Sequence, residues 1–229
     1  MYSELNFIWE SFIRVFTENK TEAITNSAQH KSVADYQNLM VLCFRQYFEA
    51  LKPGRWITVE FHNSENAVWS VIQESLQQVG FVIADVRILD KKIQTHTQRT
   101  SARSVNKDLA ITAYKPSSDF ETCFAISAGT VQGVWDFVNS HLSQLPITDD
   151  VKDLLIAITE RQNHLLFDRM VAFHVQRGIS VPLSAAEFYQ GLTQRFPERD
   201  GMYFLPEQAA DYDRKRLTVK EVLQLSLIV

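Results

Sequence analysis

The stretch that decides the fold is Leu-Lys-Pro-Gly-Arg-Trp-Ile-Thr-Val-Glu-Phe at residues 51–61. Its first half ends a helical pattern, because proline lacks the backbone N–H that a helix needs and glycine adopts turn conformations freely. Its second half, Trp56 to Phe61, is short and rich in β-branched and aromatic residues. Such a run predicts a β-strand that is buried on both faces.

Three amphipathic helices lie around this strand in the sequence. Apolar residues recur at helical spacing in Ser3 to Phe16, in Ser32 to Ala50 and in Ser64 to Val79. Asp35 is placed to complete a capping box with Ser32, and Gly80 follows the third helix where a left-handed residue commonly ends one.

Two further strands follow the third helix. Phe81 to Leu89 and Leu109 to Tyr114 are strongly apolar. The polar stretch between them, Asp90 to Asp108, is too long for a tight hairpin and too polar for a strand. The order helix, strand, helix, strand, strand is that of half an α/β sheet.

The second half of the chain is predicted to be mainly helical. Helical spacing runs from Val131 to Leu145, from Val151 to Gln176 and from Ser184 to Phe196. The segments Asp200 to Pro206 and Asp211 to Arg216 are interpreted as a surface loop and a short polar segment. The fold class expected from the whole pattern is therefore α/β, with a mainly helical C-terminal region.

The composition excludes several classes of protein. The 229 residues are 45% hydrophobic and 22% charged, which is enough apolar material for one or two globular domains. No apolar run approaches the ~18 to 20 residues of a membrane span, and no secretory signal is visible at the first residues. Cys43 and Cys123 stand in apolar surroundings and are expected to be buried, reduced thiols. These features favour a cytoplasmic protein without a membrane partner.

One segment of the chain is strongly basic. The net charge of −4 gives no overall attraction to a polyanion, so any contact with DNA must come from a local patch. Six basic residues against one acidic residue stand between Arg87 and Lys107. The candidates for phosphate contact are Lys91, Lys92, Arg99, Arg103 and Lys107. The alternative is a solvated loop whose charges only maintain solubility.

Several stretches resemble a known enzyme family. Residues 51–61 resemble the turn and fifth strand of S-adenosylmethionine-dependent methyltransferases, and further stretches are similar to large bacterial DNA methylases of the N4-cytosine/N6-adenine group. Those stretches are Tyr2-Ser3-Glu4-Leu5-Asn6, Phe61-His62-Asn63-Ser64, Asn66-Ala67-Val68-Trp69, Lys107-Asp108-Leu109 and Asp200-Gly201-Met202-Tyr203-Phe204-Leu205-Pro206.

The resemblance implies a partial Rossmann-like sheet. Its three strands would be the fifth, sixth and seventh of the methyltransferase sheet, with the last one antiparallel between the other two. Residues 1–116 would then be the latter part of the catalytic domain, and residues 117–229 a mainly helical C-terminal domain. DNA and the remaining part of the methyltransferase are the implied partners.

The motifs that carry the family's chemistry are missing from the sequence. The family holds the target base with an Asp-Pro-Pro motif, expected just before Tyr2, and the cofactor with a Gly-rich loop. No two of the six prolines are adjacent, and the closest pair of the seven glycines, Gly129 and Gly133, opens a helix without a preceding strand. S-adenosylmethionine is thus the cofactor of the parent enzyme and is not expected to bind this chain alone. We expect no catalytic residue in the chain.

Other polar residues have two interpretations each. His62 and Asn63 follow a strand where α/β sheets place their ligands, so they are candidates for a substrate pocket, or they begin the next helix beside Ser64. Glu160 and His164 are expected on one long helix with His174, packed by hydrogen bonds, because no third metal ligand converges with them.

The first two helices and the first strand are expected to form an interface. Their aromatic residues fall at helical spacing and are predicted to be core or interface residues: Phe7, Trp9, Phe12, Phe16, Tyr36, Phe44, Tyr47 and Phe48. The resemblance leaves Trp56 to Phe61 with an unpaired edge, which invites homo-oligomers through that edge or through the helices. The rival function is a non-catalytic DNA- or protein-binding module that acts through the basic residues 87–107.

Overall fold

A computed structural model describes residues 2–16, 19–61, 66–90, 107–151, 154–217 and 222–223. The chain forms mixed α/β structure with a three-stranded sheet at its centre. The helices are α1 (Tyr2–Ile13), α2 (Val33–Ala50), α3 (Asn66–Val79), α4 (Ser118–Ser127), α5 (Val131–Gln144), α6 (Asn163–Gln176), α7 (Ala185–Arg195) and α8 (Pro206–Arg216). The strands are β1 (Trp56–Phe61), β2 (Val82–Asp90), β3 (Lys107–Tyr114), β4 (Asp149–Val151), β5 (Leu154–Ile156), β6 (Glu198–Arg199), β7 (Met202–Tyr203) and β8 (Val222–Leu223).

The central sheet has the strand order β1–β3–β2, and β3 is antiparallel to both neighbours. The prediction that the last strand inserts antiparallel between the other two is confirmed. β2 lies one residue further along the chain than predicted, and β3 begins two residues earlier than predicted. Asp90 pairs with Lys107 and Leu89 with Asp108, so the ends of that loop belong to β2 and β3.

Helices α2 and α3 cover one face of the sheet. Phe44, Ile72 and Leu76 pack there against Ile83 and Ile111, and all five side chains are buried. The predicted capping box is present at the start of α2, where Ser32 and Asp35 each bond the other's backbone N–H. The amphipathic spacing thus predicted the inner face of α3 correctly and that of α2 in part, because Cys43 and Tyr47 of the predicted α2 stripe are exposed.

The prediction that β1 is buried on both faces is wrong. Ile57, Val59 and Phe61 are half-buried towards α2 and α3, whereas the alternating residues, among them Trp56 at 37% exposure, face solvent. The reason is that β1 is an outer strand: among the strands of the described ranges it pairs with β3 alone. The apolar residues of β1 alone did not indicate which of its two faces would have no helix packed on it.

Helices of the second half cover one end of the opposite face. Val82, Ala84 and Tyr114 join the same buried cluster as Phe137 of α5 and Leu166 of α6. The sheet is therefore sandwiched between α2 and α3 on one side and α5 and α6 on the other. This second cover lies where β2 begins and β3 ends, and Thr58 and Glu60 of β1 remain exposed.

The predicted helix from Val151 to Gln176 is wrong in its first half. β4 and β5 form a small sheet with β8, a 3-10 turn spans Thr159–Arg161, and helical structure begins only at Asn163. The spacing of the apolar residues from Leu154 to Ile158 is compatible with either a helix or a buried strand. The run forms a strand because it is short and because it pairs with β4. Helix α4 was not predicted.

The region around Asp200 is also more ordered than predicted. Met202, Tyr203 and Phe204 are buried, not part of a surface loop. Asp200 and Gly201 both have positive φ and make the two-residue turn between β6 and β7, which such residues favour. The segment from Asp211 to Arg216 completes α8, whose Tyr212 is buried beside Phe204.

Both cysteines are exposed, so the prediction of buried thiols is wrong. Cys43 lies on the flank of α2 next to the exposed Leu42, and Cys123 lies on the outer side of α4. Apolar neighbours in sequence misled the prediction, because on a helix the adjacent residue faces a different direction. None of the helices in the described ranges combines the length and the apolar content that a bilayer crossing requires.

Candidate functional site

The two parallel strands β1 and β2 end at the same edge of the sheet. Phe61, the last residue of β1, and Ile88, near the end of β2, both pair with Leu109, near the start of β3. The last residues of β1 and β2 and the first residues of β3 therefore lie at the same end of the sheet. His62 and Asn63, the candidates for a substrate pocket, follow β1 here but lie outside the described residues. In open α/β sheets, ligands bind at the carboxyl ends of the parallel strands. This edge is therefore the candidate site.

The basic segment leaves the sheet at this edge as well. Lys91, Lys92, Arg99 and Arg103 lie outside the described residues. Lys107 is the first residue of β3 and pairs with Asp90, so it belongs to the sheet and not to the loop in which it was predicted. The register thus brings both ends of the basic segment next to the end of β1.

Asp108 is a site residue that sequence reasoning missed. It stands at the start of the central strand, opposite Leu89, and only 4% of it is exposed. A carboxylate tolerates such burial only when its oxygens are hydrogen-bonded or paired with a cation. The available signal was an acidic residue at the beginning of an apolar strand, directly after a basic segment.

A polar face of the sheet leads from the covered end towards this edge. Its side chains stand in two rows across the three strands, Thr58–Thr112–Asp85 and Glu60–Ala110–Arg87. Thr58 and Thr112 hydroxyls are 3.3 Å apart, and Arg87 pairs with Asp85. We call these six residues the open face. With two carboxylates and one guanidinium it does not attract phosphate, so DNA contact at this edge depends on the basic segment.

A β-bulge in β2 determines which residues reach the open face. Ile83 and Asp85 pair with consecutive residues of β3, so Ala84 is the extra residue. Before the bulge Ile83 points to the α2 and α3 core, and after it Val86 does. Strict alternation would have carried Asp85 and Arg87 into that core. The bulge instead turns both charges to the other side, where they pair.

The three polar residues of the predicted long helix are not brought together. Glu160 lies in the 3-10 turn before α6 and binds Arg169 through two bonds of 2.9 and 2.7 Å. His174 is buried and donates from Nδ1 to the Met170 carbonyl at 2.8 Å, while His164 is exposed. No group of three or more potential metal ligands occurs in the part of the chain that the structure describes.

Two buried polar groups lie at the covered end of the sheet, at the opposite end of β3 from the candidate site. Tyr114, on the central strand, hydrogen-bonds His141 Nδ1 of α5 at 2.9 Å. Burial, and secondarily the charges of Arg169 and Arg161, lower the pKa of His141 to about 3. Burial raises the pKa of Tyr114. Both groups therefore stay neutral at ordinary pH, and they join the sheet to α5 without acting as acid or base.

Three aromatic residues of α1, and Phe16 beyond its end, are exposed. Phe7, Trp9, Phe12 and Phe16 expose 64 to 82% of their surface, whereas Tyr36 and Phe44 of α2 are buried as core residues. An exposed apolar patch of this kind marks an interaction surface. The prediction of an interface role for these four exposed residues stays a prediction.

Comparisons of the chain with protein-family models, with curated proteins and with solved structures give no match.

Proposed function

We propose that the chain is the later part of the catalytic domain of a DNA methyltransferase that acts on the amino group of adenine or cytosine. The observation that supports this most directly is the strand order β1–β3–β2 with its antiparallel central strand. The resemblance of the sequence to that family implies the same order. In this proposal the sheet is the end of a Rossmann-like methyltransferase sheet, and further parallel strands continue beyond β1.

The proposed role is a contribution to the enzyme and not methyl transfer by this chain. Transfer to a neutral amine requires a preorganised pocket that holds the extruded base in line with the methyl donor. The residues present do not fit S-adenosylmethionine by themselves. The sequence has no Gly-rich loop after a strand, and no described strand lies beyond β1 where such a loop would be carried.

The candidate edge supplies two supporting parts in this proposal. His62 and Asn63 line the substrate pocket from the end of β1. Lys91, Lys92, Arg99, Arg103 and Lys107 contact the phosphates of DNA, which gives affinity that depends on salt and not on sequence. The parent enzyme uses S-adenosylmethionine and acts in the cytoplasm.

The test is reconstitution with a polypeptide that carries the Asp-Pro-Pro motif and the Gly-rich loop of this family. Titration of S-adenosylmethionine is expected to give no heat with the chain alone and saturable binding with the mixture, together with methyl transfer to DNA. The matched control replaces the Asp of Asp-Pro-Pro by Ala, which should abolish transfer by the mixture. Stoichiometric, tight binding by the chain alone would contradict the proposal.

A second candidate function is a non-catalytic module that binds DNA or a protein through residues 87–107. The exposed apolar face of α1 favours an interaction protein of this kind. Genomic context separates the two candidates, because an upstream reading frame with the missing motifs supports the enzyme. Retained DNA binding by the chain alone, lost on charge reversal of Arg99 and Arg103, supports the module.

A further inference from the structure

A groove runs between α7 and the first turns of α5. It has a volume of about 260 Å³, and its floor is formed by Trp135 of α5 and Gly191 of α7, which are both buried. A Cβ at Gly191 would lie 2.5 Å from Cζ2 of Trp135, so only glycine lets α7 lie this close to the ring. Phe188 stacks on the same ring, with 5.5 Å between the ring centres. The groove therefore has a rigid floor, and it shares no residue with the candidate site.

Four polar side chains line the groove along α7. Glu187 lies in the first turn of the helix and Arg195 is its last residue, with Gln190 and Gln194 between them. All four residues are exposed. The two charged residues are two helical turns apart, which corresponds to about 12 Å along the axis. The groove thus has a negative end, a positive end and two amide groups between them.

Both charges of the groove are held in place without a partner of opposite charge among the described residues. Oε2 of Glu187 accepts hydrogen bonds from the backbone N–H and the hydroxyl of Ser184 at 2.8 and 2.7 Å. The guanidinium of Arg195 lies 4.5 Å from the centre of the Trp135 ring. An arginine stacked on an aromatic ring still has N–H groups that can bind a carboxylate. Because both charges are positioned before a ligand arrives, binding costs little side-chain entropy.

The size and the lining of the groove favour an extended peptide over a small molecule. Small-molecule sites are typically pockets of about 300–1,000 Å³ with mainly apolar walls, whereas this groove is smaller and open to solvent. An extended chain advances about 3.3 Å per residue, so about four residues span the distance between the two charges. Amide side chains donate and accept hydrogen bonds, as a peptide backbone requires. Val131 and Leu183 complete the lining and offer apolar contact to a side chain between the charges.

We propose that this groove binds an extended segment of a partner protein that carries a basic side chain and, about three residues away, an acidic side chain. The acidic side chain binds Arg195, and the basic side chain binds Glu187. The amides of Gln190 and Gln194 bond the backbone between the two charges. The inference does not depend on the methyltransferase role, because the groove and the candidate site are built from different residues.

Fluorescence anisotropy with labelled peptides tests the proposal directly. The probes contain Lys-Ala-Leu-Asp or the reverse order Asp-Leu-Ala-Lys, because the two charges fix the ends of the segment and not the direction of its backbone. At least one of the two peptides should bind the full chain saturably. A peptide with alanine at both charged positions should bind at least about tenfold more weakly, because it lacks both ion pairs.

Charge reversal at Arg195 is the decisive step. Arg195→Glu should raise the Kd of the peptide by about tenfold or more, because two carboxylates then face each other. The same variant should bind a peptide with lysine in place of aspartate more tightly than the wild type does. The control Arg214→Glu makes the same charge change on α8, where that side chain is 78% exposed, and should leave the Kd unchanged.

Two further variants separate binding from folding. Gln194→Ala removes an exposed amide from the groove and should raise the Kd about threefold to tenfold, as expected for one lost hydrogen bond. Val131→Trp places a large side chain in the groove at a position that is 43% exposed, so it should abolish binding. Both variants should unfold at a temperature close to that of the wild type.

Three results would overturn the proposal. The first is that neither order of the charged peptide binds the wild type. The second is that Arg195→Glu and Arg214→Glu weaken binding equally, because the peptide would then respond only to the overall charge of the protein. The third is that binding persists in Val131→Trp, because the peptide would then lie elsewhere on the surface.

Discussion

At the scale of single residues, His141 links the stability of the protein to pH. Its pKa is lowered to about 3, mainly by burial, whereas an unfolded histidine has a pKa near 6.5. Between these two pH values His141 is protonated in the unfolded chain but neutral in the folded protein. The free energy of unfolding therefore decreases as the pH falls from about 6.5. At about pH 5 the loss attributable to His141 is about 2 kcal/mol.

Urea unfolding at about pH 7 and about pH 5 measures this loss. His141→Gln can keep a hydrogen bond to Tyr114 but does not titrate, so its stability should change less between the two pH values. His174 contributes in the same direction, because burial lowers its pKa as well, so some dependence should remain. His164→Gln, at an exposed position, is the control and should behave as the wild type. An unchanged slope in His141→Gln would contradict the assignment.

Gly191 of α7 is fixed by the ring that packs on it. A Cβ at this position would lie 2.5 Å from Cζ2 of Trp135, closer than real atoms approach. The ring cannot easily give way, because it stacks on Phe188 at 5.5 Å and lies under Arg195. Alanine would gain about 1 kcal/mol in helix propensity, but overpacking costs about 1–3 kcal/mol.

We therefore expect Gly191→Ala to lower the free energy of unfolding by up to about 2 kcal/mol in thermal or urea unfolding. The exposed neighbour Gln194→Ala, on the same helix, should change it by less than about 0.5 kcal/mol. A more stable Gly191→Ala protein would show that Trp135 has room to move.

At the scale of elements, Arg161 joins three parts of the C-terminal half. Its guanidinium is fully buried and donates to the carbonyls of Leu142, Leu145 and Pro146 at the end of α5, to Tyr203 of β7 and to Gln208 of α8. It also lies over the Phe204 ring. Burial lowers the pKa of Arg161 to about 9, so it remains charged at neutral pH. Neutral carbonyl dipoles therefore hold this cation.

Replacement of Arg161 by methionine keeps much of the volume but leaves buried carbonyls without donors. Each orphaned acceptor costs about 1–3 kcal/mol, so we expect a loss of more than about 3 kcal/mol in urea unfolding. Arg161→Lys keeps the charge without the planar fork and should be intermediate. Arg214→Met, at a largely exposed position on α8, should be nearly neutral. Equal stability of the Arg161 and Arg214 variants would refute this role.

The elements also show what the sequence could and could not predict. Helices α2, α3 and α7 were predicted well, because each has a local start signal or a clear apolar stripe. The bulge at Ala84 and the strand at Leu154 depend on pairing partners distant in sequence, which spacing alone does not indicate. The same holds at the candidate site: the end of β1 was predictable, whereas the burial of Asp108 in the neighbouring strand was not.

At the scale of the whole molecule, the two halves share one core. The predicted boundary lies between residues 116 and 117, yet Val82, Ala84 and Tyr114 of the first half are buried in the cluster of α5, α6 and α7. The Tyr114 to His141 hydrogen bond crosses the same boundary. Without the sheet, the second half would expose the apolar side chains that now cover it. Without α5 and α6, the sheet would expose an apolar end on its second face.

The full chain is therefore expected to unfold in a single transition, with the same midpoint when followed by circular dichroism and by tryptophan fluorescence. Separate pieces 1–116 and 117–229 should show weak, non-cooperative unfolding. Each piece would expose the apolar side chains that the other piece covers in the full chain. Tyr114→Ala in the full chain should destabilise both halves together, by about 3–5 kcal/mol for a buried aromatic side chain. A piece 117–229 that unfolds cooperatively at the midpoint of the full chain would establish it as an independent domain. Its contact with the sheet would then be an interface between domains and not a common core.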